Sequence, residues 1–168
     1  SEYAAPLFCA GITAYKAVKA AEAEKNKKIA IFGIGGVGHM AIQFAKVEGC
    51  SVSGISRKEK HLDVAKKLGA DNAFVYSSNQ DQFLENVKKE YGLFDAAIVF
   101  APVDEVTDTA IKSIKKGGTV VIATVGKIPN FLAFEEKTVR GTLIGSRKDM
   151  EDVIKISGEH KLELLTEC

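Results

Sequence analysis

Along the chain, short runs of β-branched and apolar residues alternate with segments whose apolar positions recur at three- and four-residue steps. Such alternation marks βαβ units, in which helices cover the faces of a parallel sheet. The first strand is predicted over residues 28–33, K-I-A-I-F-G. Val37, Met40, Ala41, Phe44, Ala45 and Val47 then trace one face of a helix that Glu48-Gly49 closes. A strand over 51–56 follows, then a helix marked by Leu62, Ala65 and Leu68 that stops at Gly69, then a brief strand over 73–76. Phe83, Val87 and Tyr91 give the next helix, and 94–100 is an apolar run suited to a central strand buried on both faces. Val106, Ala110, Ile111 and Ile114 give another helix, which Gly117-Gly118 turns into a strand over 119–123. After a loop containing Pro129, residues 137–145 read as a sixth strand. Ser146, with Asp149 three positions on, is a capping start for a last helix carrying Met150, Val153 and Ile154. The expected fold class is α/β, a doubly wound parallel six-stranded sheet. Before residue 28, Cys9, Ile12, Thr13, Lys16 and Ala20 follow helical steps, so an extra N-terminal helix is expected, joined by a charged connector over 21–28.

Composition narrows the classes. A chain of 168 residues makes one compact unit with a short appendage. Hydrophobic residues at 46% and charged residues at 27% support a folded core and argue against disorder. Lys+Arg 23 against Asp+Glu 22 provides no broad basic field, so no nucleic-acid partner is expected and any anion site must be local. Apolar stretches fall well short of the roughly 20 residues of a membrane span, so no membrane partner is expected. Cys9, Cys50 and Cys168 show neither disulfide nor zinc-ribbon spacing, which favours a reducing, cytoplasmic setting. Residues 1–6 lack the blocks of a signal peptide, and the start at Ser1 leads us to expect a processed or excised segment.

The chemistry concentrates at G-I-G-G-V-G, residues 33–38, which satisfies G-x-G-x-x-G between a predicted strand and a predicted helix. In such a turn Gly33 permits the bend, Gly35 lets the backbone approach a pyrophosphate, and Gly38 allows close helix packing. The free N–H groups and helix dipole then attract phosphate oxygens. No G-K-[ST] follows, which disfavours a P-loop nucleotide hydrolase. At the end of the second strand, where NAD sites carry Asp or Glu for the ribose 2′-OH, the chain has Ser56, Arg57 and Lys58. A hydroxyl beside a guanidinium suits a 2′-phosphate, so NADP(H) is the expected cofactor, with NAD as the alternative.

Three strings together, A-A-P-L-F-C-A-G-I-T-A-Y at 4–15, G-I-G-G-V-G-H-M-A-I-Q-F-A-K at 33–46 and A-K-K-L-G-A-D at 65–71, resemble zinc-type alcohol dehydrogenases of the medium-chain dehydrogenase/reductase family. The resemblance covers nearly the whole chain but only the cofactor-binding half of that family's usual length. It implies a division into residues 1–27, a helix and connector from the catalytic-domain junction, and 28–168, a dinucleotide-binding Rossmann domain. It places Cys9 at a catalytic zinc ligand and Thr13 near the nicotinamide. Gly36 belongs to the cofactor turn, and Val37 falls at the residue packed against the nicotinamide ring. Ala101, Thr124 and Val125 fall at strand ends on the nicotinamide side. His61 stands where many members carry a Lys near the adenosine ribose, with Lys60 a possible substitute. The implied activity is hydride transfer between a small alcohol or aldehyde and the nicotinamide, with zinc in the intact enzyme and a homo-oligomer formed through the cofactor domain, for which 137–145 is a candidate sheet edge.

A catalytic zinc needs about three protein ligands. Cys9 has no metal spacing with His39, His61 or His160, so the isolated chain is expected to bind cofactor and to turn over alcohol negligibly. His39 is expected to pack or hydrogen-bond near its helix start, and Cys50 and Cys168 carry no motif. The rivals are a zinc-free quinone or enoyl reductase, which would need no thiolate at Cys9, and a non-catalytic NADP(H)-sensing module. A methyltransferase is disfavoured by the missing carboxylate at Ser56.

Overall fold

The structure, a computed structural model, describes residues 7–128 and 131–163. Pro129, Cys168 and residues 4–6 of the first family-like string lie outside the described residues. Its regular elements are helices α1 (Ile12–Ala20), α2 (Gly36–Val47), α3 (Glu59–Lys67), α4 (Gln80–Glu90), α5 (Asp104–Ser113) and α6 (Arg147–His160), and strands β1 (Lys28–Phe32), β2 (Ser51–Ser56), β3 (Asn72–Val75), β4 (Phe94–Val99), β5 (Ile114–Ile122) and β6 (Thr138–Gly141). All six strands are parallel in one sheet of order β3-β2-β1-β4-β5-β6. This is the doubly wound Rossmann arrangement, in which strand order reverses between β1 and β4 and leaves a crevice at their carboxyl ends.

The two faces of the sheet follow the period-2 alternation of the strands. Ile29, Ile31, Val52, Ala96, Ile98 and Val121 point toward α1, α2, α3 and α6. Ala30, Phe32, Ala97, Val99 and Val120 point toward α4 and α5, meeting Phe83, Val87, Val106, Ala110 and Ile111. Because β1 and β4 are covered on both sides, their buried stretches at 29–32 and 96–99 are apolar. α2 is almost entirely buried from Gly38 to Ala45, wedged between the sheet and α1.

Several boundaries differ from the sequence pattern for physical reasons. α5 ends at Ser113, and Ile114 begins a strand, pairing with Phe94. Between the Phe94–Ile114 and Ala96–Thr119 pairs the register jumps, and an irregularity around Gly117, with φ +74, absorbs the extra residues. The sixth strand is only Thr138–Gly141 rather than 137–145, and it forms the sheet edge. After Thr142 donates its N–H to the Ile122 carbonyl the chain leaves the sheet, with Ile144 at φ 48. α4 stops at Glu90, and Tyr91 instead caps it and lays its ring near Phe94.

α1 forms as expected and is preceded by a π-helical turn, Leu7–Gly11. Ile12, Ala14, Tyr15, Ala17 and Val18 face the core, whereas Cys9 is exposed and Thr13 half-buried. α1 is also tied to α6: the Tyr15 hydroxyl donates to Asp152 (3.2 Å) and Lys19 pairs with Asp149 (3.3 Å). Burial, then the charge of Asp152, pushes the Tyr15 phenol up to about 12. Ser146 and Asp149 make the capping box that opens α6, as the sequence predicts.

Candidate functional site

A cleft of about 370 Å³ opens at the carboxyl ends of β1, β2 and β4, at the strand-order reversal. The turn from β1 to α2 forms its floor. Gly33 adopts φ +93, and a Cβ there would lie 2.9 Å from the Ala101 backbone nitrogen, so only glycine fits. A Cβ on Gly38 would run into the Gly33 carbonyl, so the helix can start this close to the strand only with a bare α-carbon. Gly35 and Gly36, by contrast, face open space, with nothing within 4 Å of a hypothetical Cβ. Gly35 caps α2 without any side-chain hydrogen bond, so the first-turn N–H groups are presented to the cleft. Backbone donors at the positive end of a helix, beside glycines with empty space above them, fit a diphosphate.

The turn is fixed by its neighbours. The Gly33 N–H donates to the Ile55 carbonyl (3.0 Å) and the Phe100 N–H to the Phe32 carbonyl (2.9 Å), extending the ladders of β2, β1 and β4 to the rim. Phe32, Ile34, Ile55, Phe100, Val103 and Val106 supply apolar walls, a mostly apolar lining with few polar groups being usual for a cofactor cleft.

The polar groups gather at one end. Ser56, Arg57, Lys58 and His61 line the cleft where β2 gives way to α3. The Lys58 N–H donates to Ser56 Oγ (3.3 Å), and Ser56 Oγ lies 3.4 Å from His61 Nδ1. The Arg57 guanidinium rests over the Tyr76 ring, 5.6 Å from its centroid. Tyr76 is held in turn by its N–H bond to the Ser56 carbonyl (2.8 Å) and its hydroxyl contact with Thr109 Oγ1 (3.1 Å). Arg57 and Lys58 are exposed at the rim. Burial, followed by the charges of Lys58 and Lys60, lowers the His61 pKa.

Behind His61 lies His39 of α2, with ring centroids 6.5 Å apart in an edge-on arrangement. His39 is 6% exposed, and among the described residues neither of its ring nitrogens meets a hydrogen-bond partner. Burial and then His61 lower its pKa, which favours the neutral imidazole at this packed position near the helix start.

The structure thus brings together Gly33, Gly35, Gly36, Val37, Gly38, Ser56, Arg57, Lys58 and Ala101 around one cleft. Thr13, Thr124, Val125 and Lys60 do not line it. Thr124 and Val125 follow the carboxyl end of β5, on the same edge of the sheet, with Val125 85% exposed. Thr13 sits on α1. Lys60 is exposed on α3, and the residue that lines the cleft there is His61. Tyr76 and Phe100 are lining residues that motif reading passed over; the signal was the 3-2-1-4 strand order, which puts the ends of β3 and β4 beside the turn. Cys9 stands alone: among the described residues no three His, Cys, Asp or Glu side chains are grouped to hold a metal ion. These residues do not fit a catalytic zinc. Among the described residues no helix is long and apolar enough to cross a membrane.

Comparison with known proteins agrees with this geometry. Residues 36–159 match the family model described as zinc-binding dehydrogenase. An alcohol dehydrogenase of Geobacillus stearothermophilus is 35% identical over 99% of this chain and 50% of its own length. One from Rhizobium meliloti (strain 1021) is 34% identical over 95% of this chain and 48% of its own. The crystal structure of the alcohol dehydrogenase from the hyperthermophilic archaeon Aeropyrum pernix superposes with a TM-score of 0.84 at 28% identity, covering 95% of this chain and 48% of that one. The chain spans about half the length of the curated relatives it matches. With a family match over most of its length and a Rossmann sheet whose glycine turn opens onto the strand-order reversal, the chain belongs to the zinc-binding dehydrogenase family.

Proposed function

We propose that this chain is the nicotinamide-cofactor-binding domain of a zinc-dependent alcohol dehydrogenase, preferring NADP(H), acting on a small alcohol or aldehyde. The observation that carries the reading is the cleft itself: open first-turn N–H groups at Gly35 and Gly36 at one end of a hydroxyl, guanidinium and ammonium cluster at Ser56, Arg57 and Lys58. The diphosphate would lie on the α2 amides and the adenosine ribose beside Ser56, with Val37 and Ala101 on the nicotinamide side. When bound, the cofactor supplies the hydride acceptor or donor; the chain supplies orientation and electrostatics.

The division of labour follows from the half-length match. Residues 1–27 belong to the junction with a catalytic domain and 28–168 to the cofactor domain. Cys9 is one zinc ligand at most, and the rest of a ligand set must come from outside the described residues. The isolated chain therefore binds cofactor and leaves alcohols unoxidised. The full protein is a cytoplasmic homo-oligomer in this reading, with edge strand β6 and the exposed Leu143 and Phe134 available for contact. Cys9 within L-F-C-A-G favours the zinc enzyme over a zinc-free quinone or enoyl reductase.

Titration with NADPH and NADH, repeated for Arg57→Ala, tests the cofactor assignment. NADPH is expected to bind at least about tenfold tighter than NADH, since charge-assisted phosphate bonds of this kind contribute roughly 1.5–3 kcal/mol. Arg57→Ala should erase most of that advantage and leave NADH unaffected. Equal affinities in the unaltered protein would remove the NADP preference, and no binding of either would remove the cofactor reading.

A further inference from the structure

The polar end of the cleft contains one group whose charge can change near neutral pH. His61 lines the cleft with Ser56, Arg57 and Lys58, and its Nδ1 lies 3.4 Å from Ser56 Oγ. That oxygen already accepts from the Lys58 N–H, so the hydroxyl proton is free to point at the imidazole. In the Nε2–H tautomer of the neutral ring, Nδ1 is the acceptor of that proton. Protonation reverses this bond. An imidazolium donates from both nitrogens, so Nδ1–H donates to Ser56 Oγ and the hydroxyl proton is released toward the cleft. One proton taken from solvent therefore converts two groups at once: His61 gains a positive charge, and Ser56 becomes a donor to whatever lies before it.

We propose that His61 is a protonation-dependent specificity residue for a phosphate on the cofactor ribose, acting with Ser56 as a pair that recognises a 2′-phosphate when the imidazole is charged. This rests on the reading of the cleft as an NADP(H) site. The surroundings disfavour the charged ring in the empty cleft. Lys58 and Lys60 flank it at the start of α3, Arg57 stands at the end of β2, and His39 packs on it from α2. β3 contributes no charged residue over Asn72–Val75. Burial, and then the charges of Lys58 and Lys60, oppose a positive charge on the ring. A phosphate dianion in the cleft reverses the balance by neutralising Arg57 and Lys58 and favouring the imidazolium. Binding of a 2′-phosphorylated dinucleotide is thus linked to proton uptake at His61, whereas binding of NADH is not. The phosphate's own ionisation, near pH 6, gives the opposite sign, since cations around it favour loss of its proton.

The test is a calorimetric titration with NADPH and NADH from pH 6.5 to 8.5, in buffers of different ionisation enthalpy, for the unaltered protein, His61→Gln and His61→Lys. The expected result is a net proton uptake with NADPH near pH 7 that His61→Gln abolishes. Its NADPH affinity should drop about tenfold at pH 6.5 and less than about twofold at pH 8.5, while NADH still saturates the variant with no proton uptake, which shows that the cleft is intact. His61→Lys should hold NADPH affinity high across the range without the proton signal. If NADPH binds tighter than NADH but with the same proton count and pH profile in His61→Gln, the His61 inference is overturned and the NADP reading stands. If NADPH is no tighter than NADH at any pH, both fall together.

Discussion

The two ends of the sheet solve opposite problems with the same backbone. At the amino ends of the strands, carboxylates take up the free donors. Asp95 accepts from the Lys28 N–H (2.7 Å) and pairs with Lys115 (2.8 Å). Asp71 accepts from the Val52 N–H (2.7 Å) and pairs with Lys46 (2.8 Å). Burial alone would raise both acids, but Lys115 with the Lys28 amide, and Lys46 with the Val52 amide, outweigh it and hold each carboxyl below the usual range. At the carboxyl ends, the first-turn amides of α2 receive no side-chain cap, and the space above Gly35 and Gly36 is empty. Satisfied donors stabilise; donors presented to an open cleft are available for a ligand. The difference shows where the fold is closed for its own sake and where it is left incomplete for something else.

The sharpest way to break that contrast is to fill the glycine turn. Gly38→Val should abolish measurable cofactor binding and destabilise the fold by about 3 kcal/mol or more, because its Cβ has backbone on the far side and no side chain can give way. Cofactor titration and denaturant unfolding measure the two effects. A variant that binds cofactor normally would show that the helix does not need its close approach.

Asp95→Ala should act only at the other end. Loss of a charged acceptor for the Lys28 amide and Lys115 is expected to cost about 2 kcal/mol at neutral pH, with cofactor affinity unchanged. Because the folded-state pKa of Asp95 lies below its unfolded value, that contribution is present above about pH 4 and is lost as the pH falls through the folded pKa. The stability gap between variant and unaltered protein should therefore narrow in acid, read from urea midpoints at pH 7 and below pH 4. A gap that widens in acid would reverse the assigned sign.

A smaller effect is expected at the start of α6. Ser146→Ala removes the capping box, in which Ser146 accepts from the Asp149 N–H (3.2 Å), and should cost about 1 kcal/mol without changing cofactor affinity. Smallest of all, Lys60→Ala should change NADPH affinity by less than about twofold, since its exposed ammonium does not line the cleft and long-range charge is screened by salt. A tenfold loss there would place Lys60 in the site after all.

Most elements were legible because their causes are local. The apolar steps of Met40, Ala41, Phe44 and Ala45, the stop at Gly49 and the Ser146–Asp149 cap each act within a few residues, and each appears where the pattern placed it. The errors fall where distant partners intervene. Ile114 stands at helical spacing in the sequence, but pairing with Phe94 makes it strand, and α2 and α6, remote in sequence, choose which side of α1 is buried. The same holds at the site. Glycine spacing between strand and helix identified the turn, since positive φ and absent Cβ are properties of single residues. Only the tertiary arrangement decided that Tyr76 and Phe100 join it, that His61 rather than Lys60 faces the cleft, and that Thr13 and Cys9 stand apart, because strand order and helix rotation depend on which surfaces can be buried together.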